Sequence, residues 1–193
     1  MVKLLNFSFR LGTIVRNFLG NGISISHSKS FFMDSMESSV VEKKSLANFV
    51  FLLSGELDLK TSGCNTWQNM SQEKAYVFFS EDGNKIQRRI NGKVSTEALI
   101  IKIPRDIFKN MVSDVGGSYS LLNRGTRCFS RKMSAHDTML CNSLASFHYK
   151  GQTGRVIRMG RSLELVACIF LQGTKDVRSE FPLVLEVSDY IKK

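Results

Sequence analysis

The alternation of apolar and polar positions divides the chain into a β-rich first part and a helical second part. Asn48-Phe49-Val50-Phe51-Leu52-Leu53 is a continuous apolar run, which predicts a strand covered on both faces. Ser54-Gly55 permits a bend, and Glu56-Leu57-Asp58-Leu59-Lys60 then alternates as a half-buried strand does. Ser62-Gly63-Cys64-Asn65 predicts a turn, and Ala75-Tyr76-Val77-Phe78-Phe79 another strand. Glu81-Asp82-Gly83-Asn84 supplies turn chemistry before a strand over Lys85 to Ile90. Asn91-Gly92 is a hairpin signal, because both central positions of a tight hairpin turn favour positive φ. A last strand runs from Glu97 to Ile103 and ends at Pro104. Short strands with regularly spaced turns predict a small sandwich or barrel.

Helical spacing takes over after Pro104. Arg105 to Val115 reads as a short helix stopped by Gly116-Gly117. Ser134 opens the next helix, and Asp137 three residues later completes a capping box with Asp in place of the commoner Glu. Met139, Leu140, Leu144 and Phe147 follow at helical spacing, until Gly151 and Gly154 interrupt them. A longer helix is predicted from about Arg155 to Gln172, with Gly173 placed to cap it. Its apolar face, Leu163, Val166, Ala167 and Phe170, is the expected dimer surface. Pro182 suits a first helical turn, and Leu183, Val184, Val187, Tyr190 and Ile191 then form one stripe. The pattern is an α+β arrangement: an antiparallel β-barrel or jelly roll, a helix pair, and the start of a further helix. The stripe up to Lys193 is expected either to pack back on the domain or to begin a second one.

Composition narrows the classes. With 193 residues and 42% apolar content, the chain is large enough for one good core. Two prolines, Pro104 and Pro182, argue against a linker-rich protein, and no run approaches the roughly 20 apolar residues of a membrane helix. Residues 1–22 carry Lys3, Arg10 and Arg16 and no acid, and are expected to form an N-terminal arm rather than a cleaved signal. The net charge of +10 suggests acidic partners, among them nucleic acid or an anionic ligand. The basic residues fall in separate groups: Lys85, Arg88, Arg89 and Lys93; Arg124, Arg127, Arg131 and Lys132; Arg155, Arg158 and Arg161. None has the interleaved aromatics of a single-strand groove. Cys64, Cys128, Cys141 and Cys168 make no C-x-x-C pair, and a reduced, cytoplasmic protein is expected.

Catalytic signals are absent from the sequence. His27, His136 and His148 are widely spaced; the last two, on one helix, would stand about 18 Å apart and cannot share an ion. There is no G-x-S-x-G elbow, no phosphate-binding glycine loop and no cysteine in an activating context. Glu164, inside an apolar helix, is expected to pair with Arg161 or another arginine. No cofactor, no metal and no enzymatic activity are expected. An apolar β interior instead suits a small-molecule cavity, with Phe49, Phe51, Trp67, Tyr76 and Phe78 as candidate lining residues.

Three stretches resemble AraC-type transcription regulators. Phe49-Val50-Phe51-Leu52-Leu53-Ser54-Gly55-Glu56-Leu57 is similar to an early strand with an L-x-G-x-L bend. Gly154 to Ala167, where a basic segment leads into Leu163-Glu164-Leu165, resembles a helix of regulators of the pyochelin-receptor type. Leu183 to Lys193 looks like the first helix of that family's DNA-binding half. The resemblance implies a cupin-like barrel over 23–117, a helical dimerisation region over 118–180, and over 181–193 either the first DNA-reader helix or a packing helix. It implies a homodimer that senses a small organic effector and meets DNA through a C-terminal domain beyond this chain. Histidines of metal-binding cupin enzymes have no counterpart here, which fits a sensor and argues against a dioxygenase or isomerase. Two other classes fit the same features: a free-standing small-molecule-binding barrel, or a basic nucleic-acid-binding module.

Overall fold

The computed structural model describes residues 10–61, 64–112, 128–146 and 151–180, and side chains over 12–61, 66–112, 128–146 and 151–170. Ten strands alternate along the first part: β1 (Arg10–Gly20), β2 (Ile23–Phe32), β3 (Met36–Val41), β4 (Leu46–Ser54), β5 (Leu57–Thr61), β6 (Cys64–Met70), β7 (Lys74–Ser80), β8 (Lys85–Ile90), β9 (Thr96–Pro104) and, after a helix, β10 (Cys128–Lys132). The helices are α1 (Arg105–Val112), α2 (Ala135–Ala145) and α3 (Gly151–Glu180).

The strands form two antiparallel sheets. One has six strands in the order β1-β2-β9-β4-β7-β10, the other four in the order β3-β8-β5-β6. They stack as a sandwich and do not close into a single barrel, while the class remains α+β and cupin-like. The pleat splits the core in two. Residues of odd number on β4 and β9, such as Phe49, Phe51, Leu99 and Ile101, face the helices with Phe108, Leu140, Leu165 and Phe170. Their even neighbours Val50, Leu52 and Ala98 face the small sheet with Leu57, Leu59, Met70, Tyr76 and Ile86. The continuous apolar run of β4 is thus explained: Phe49, Val50, Phe51 and Leu52 are each 1% exposed or less because both faces are covered. Phe108 of α1 is the hub of the helix-side core, with ring centroids 5.6 Å from Phe49, 5.8 Å from Phe79 and 5.0 Å from Phe170. The contacts with Phe49 and Phe170 are edge-to-face, a geometry that adds about 0.5–1.5 kcal/mol each beyond area burial.

Several local expectations are confirmed. Gly55 has φ +82°, and a Cβ there would lie 2.4 Å from the Ser95 carbonyl oxygen, so the β4–β5 bend requires glycine. Ser134 caps α2, and both arms of the capping box with Asp137 are made. That cap is tied to β10 by a buried ion pair, Arg131 Nη2 to Asp137 Oδ2 at 2.6 Å.

Others are corrected. Asn91-Gly92 does not turn a hairpin: β8 pairs with β3 and β5 in the small sheet, while β9 pairs with β2 and β4 in the large one. Positive φ falls on Lys93 instead, and Gly92 is small because a Cβ would meet the Asp34 backbone at 2.6 Å. Strand β10 lies in a stretch read as helical. Gly173 lies inside α3 rather than capping it. Residues 10–20, read as part of an arm, form β1 on the edge of the large sheet. The stripe from Leu183 to Lys193 lies outside the described residues.

Candidate functional site

The inner face of β2 carries a serine at every second position. Ile23-Ser24-Ile25-Ser26-His27-Ser28-Lys29-Ser30 places Ser24, Ser26, Ser28 and Ser30 on one face, in register with Lys102, Ile100, Ala98 and Thr96 of β9. Ala98 and Ile100 belong to the core between the sheets, so these serines face the sandwich interior. Opposite them, the inner face of the small sheet presents Ser38 on β3 and, directly beside it, Arg88 on β8. The interior is therefore asymmetric. Beneath β4 and β7 it is apolar and closed. Between β2–β9 and β3–β8 it is mixed: Ser26, Ser28, Ser30, Ser38 and Arg88, all with some solvent exposure, share it with Val40, Ile86, Ile90, Ala98 and Ile100.

Charges collect at one end of this mixed half. Glu42, 7% exposed, follows β3 and pairs with Lys102 Nζ. Asn48 on β4, fully buried, donates to Ser80 Oγ at 3.0 Å. Arg88 differs from these. It alternates with Ile86 and Ile90, both packed in the interior core, so it points inward. Its Nε is buried and has no hydrogen-bond partner among the described residues. Burial pushes the guanidinium below its ordinary pKa, and the charge of Glu42 works against that shift. An arginine stays protonated regardless, so the interior contains a cation without a hydrogen-bonded counter-charge at Nε.

A second concavity lies on the helix side of the large sheet. A cleft of about 330 Å³ is lined by Leu53, Glu97, Asn142, Ala145 and Ser146. Glu97 accepts from His27 Nε2 at 2.8 Å and from Lys29 Nζ at 3.4 Å. Burial alone would raise its pKa, but the His27 hydrogen bond and the Lys29 and His27 charges outweigh it and hold the carboxyl below its ordinary value. Glu97, the charged group of this cleft, is already partnered. The serine-lined interior, with Arg88 in it, is the better candidate site.

The aromatic residues expected to line a cavity separate. Tyr76 and Phe78 point into the sandwich interior, on its apolar side. The Tyr76 hydroxyl is engaged there, accepting from Ser71 N at 2.8 Å and donating to the Asn69 carbonyl at 3.2 Å. Phe49 and Phe51 face the helices. Trp67, on β6, stacks under the Arg89 guanidinium, 4.4 Å from its ring centroid. Arg89 also reaches Glu37, at 2.8 Å from Nε and 2.7 Å from Nη2. Of the helical residues expected to dimerise, Val166 and Phe170 are 1% exposed in the domain's own core, Leu163 packs against that core, and Ala167 is exposed.

Basic residues are spent locally. Arg131 is buried with Asp137, Arg155 Nε donates to the Leu19 carbonyl at 3.0 Å, and Arg161 reaches Ser143. Arg124 and Arg127 lie outside the described residues. Glu164 pairs with His136 at 3.0 Å rather than with an arginine. Among the described residues no group of His, Cys, Asp and Glu could hold a metal ion, and no helix is long and apolar enough to cross a membrane.

Comparison with known proteins follows this geometry. Solved structures with a similar course include the AraC-like transcriptional activator CuxR (10% identity, TM-score 0.49, covering 83% of this chain and 55% of that one). ToxT from Vibrio cholerae is another (8% identity, TM-score 0.48, covering 86% and 57%). A third is the Cnp3 cupin domain of Schizosaccharomyces pombe (14% identity, TM-score 0.39, covering 56% and 75%). The chain thus spans a little over half the length of the two activators. No curated protein sequence matches it. One family model, the regulatory protein PchR N-terminal domain, matches residues 11–182, which takes in both sheets and all three described helices. The chain belongs to that family, and with it to the N-terminal domains of AraC-type transcription regulators.

Proposed function

We propose that this domain senses a small organic effector in the serine-lined half of its interior and passes the state of that site to a dimer interface on its helices. Its role is sensory rather than catalytic, in a cytoplasmic regulator whose DNA reader is a separate part of the whole protein. The sandwich carries the site and the helical region from 118 to 180 the dimer contact. The observation that carries this reading is the asymmetry of the interior. An antiparallel sandwich of this size normally fills with alternating apolar side chains, whereas one half of this one also takes in the β2 serines, Ser38, Lys102 and Arg88. Hydroxyls, ammonium and guanidinium groups converging beside an apolar floor are what a small-molecule site requires.

The dimer contact is assigned to the outward face of α3. Val156, Gly160, Glu164 and Ala167 recur there at helical spacing and are exposed, with Val156 70% exposed and no atom within 4 Å of a Cβ placed at Gly160. Met139 of α2, 58% exposed, continues the surface.

Two measurements test the proposal. A thermal-shift survey of small organic molecules, followed by amide shift mapping, is expected to move Ser24 to Ser30, Ser38 and Arg88. Perturbations confined to Leu53, Asn142 and Ser146 would move the site to the cleft and overturn the assignment. Sedimentation of a Val156→Arg, Ala167→Arg variant is expected to show a monomer, and an unchanged dimer would discard this interface.

A further inference from the structure

From Arg88 and its surroundings we infer that the ligand of the interior site carries a carboxylate, which the Arg88 guanidinium receives while the apolar body of the ligand lies against Ala98, Ile100 and Ile90. The inference rests on the reading of the serine-lined interior as the effector site.

The argument is one of counter-charge. Lys102 holds Glu42, and the Asn48 amide nitrogen donates to Ser80. Arg88 is flanked across its sheet by the uncharged Ser38 and Leu59, and the carboxylate whose charge reaches it, Glu42, is paired with Lys102. Its Nε is buried without an acceptor. A guanidinium that cannot lose its proton, held in a partly dry site, is best stabilised by an anion brought in from outside. Its planar fork matches the two oxygens of a carboxylate, giving parallel charge-assisted hydrogen bonds. Ser38, directly beside Arg88, has a hydroxyl that can donate to the same oxygens. The packing beside Arg88 adds selectivity: Ile86 and Ile90 precede and follow it on the inner face, and Ala98 and Ile100 stand across from it in the interior core. A compact, strongly hydrated ion gains nothing from those walls, whereas a carboxylate on an apolar body does.

The test uses the whole 193-residue chain and a probe pair that differs in charge alone. Benzoate and benzamide are titrated while the arginine side-chain Nε–Hε resonances and backbone amides are followed by NMR. Benzoate, and not benzamide, is expected to shift the Arg88 Nε–Hε signal together with the amides of Ser24 to Ser30. Arg88→Met is expected to weaken benzoate binding about ten-fold or more, as loss of a charge-assisted bond does. Arg88→Lys, which keeps the charge without the fork, is expected to restore part of it. Equal interior shifts with benzoate and benzamide would overturn the carboxylate assignment and leave the interior site standing. Shifts that bypass the interior with both probes would overturn the assignment and the interior site together. Since the decisive comparison is made on the unaltered chain, a variant that fails to fold does not remove it.

Discussion

Asp137 is the residue whose neutralisation should cost this domain most for the fewest atoms changed. Its side chain is fully buried and that of Arg131 is 5% exposed. One carboxylate oxygen accepts from Arg131 Nη2 at 2.6 Å, from Ser134 N at 2.7 Å and from Ser134 Oγ at 2.8 Å. Asp137→Asn keeps the shape and can still accept from the Ser134 amide, but it leaves Arg131 charged and buried. Breaking a buried pair from one side costs about 3–5 kcal/mol, because the remaining charge has lost its counterpart. Taking the lower figure, and about 2–4 °C per kcal/mol for a chain of this size, the melting temperature should fall by about 6–12 °C. Thermal unfolding followed by circular dichroism reads this directly. The double variant Arg131→Met, Asp137→Leu removes both charges and should recover most of the loss. His136→Ala supplies the contrast: the His136–Glu164 pair is about half exposed on both sides, and such pairs contribute about 0–1 kcal/mol. If Asp137→Asn costs no more than His136→Ala, the buried pair does not anchor α2, and the reasoning fails.

Four further outcomes are expected. Phe170→Ala should destabilise by about 3–5 kcal/mol, since the ring packs on Phe108 and Phe129 in the closed core; urea denaturation measures it, and a near-neutral result would contradict that packing. For the same reason Val166→Asp should unfold the monomer rather than split a dimer, and sizing combined with circular dichroism separates the two. The Cys141 thiol, pushed up to about 12 by burial and by the Asp137 charge, should resist iodoacetamide at pH 8 in the folded protein, and rapid labelling would contradict its burial. Glu97 is held below the ordinary carboxylate value of about 4.3, so the stability it contributes is present above that value and lost as pH falls through its lower folded value. Glu97→Gln should accordingly flatten the acid limb of the stability curve, and an unchanged limb would refute the contribution.

Much of the fold is legible in the sequence where a local rule acts alone. The double-sided burial of β4 follows from an unbroken apolar run, and the α2 cap follows from Ser134 and Asp137 at the right spacing. The Asn91-Gly92 hairpin fails because turn chemistry reports the local backbone and not which sheet receives the next strand; β8 and β9 part there because the jelly-roll path crosses between sheets. Strand β10 is five residues long, and its pairing with β7 is set by distant register rather than by its own composition. The candidate site is hard to see in the sequence for a different reason. Large aromatics are the loud signal of a cavity lining, whereas the signals here are quieter: serine at every second position from Ser24 to Ser30, and Arg88 in the same parity as Ile86 and Ile90. Both are visible as strand periodicity once polar residues at inward positions are treated as the anomaly.

The two faces of β9 have a consequence for how this domain tolerates change. Thr96, Ala98, Ile100 and Lys102 look toward the small sheet, while Leu99, Ile101 and Ile103 look toward the helices. The strand is a party wall between two rooms, one peptide thick. Along 96–103 the meaning of a substitution therefore switches at every residue: an even position alters what lies between the sheets, and the next odd position alters how the helices rest on the other side. A sequence lineage drifting through this segment is free to exchange one kind of fitness without touching the other, so long as it moves in steps of two.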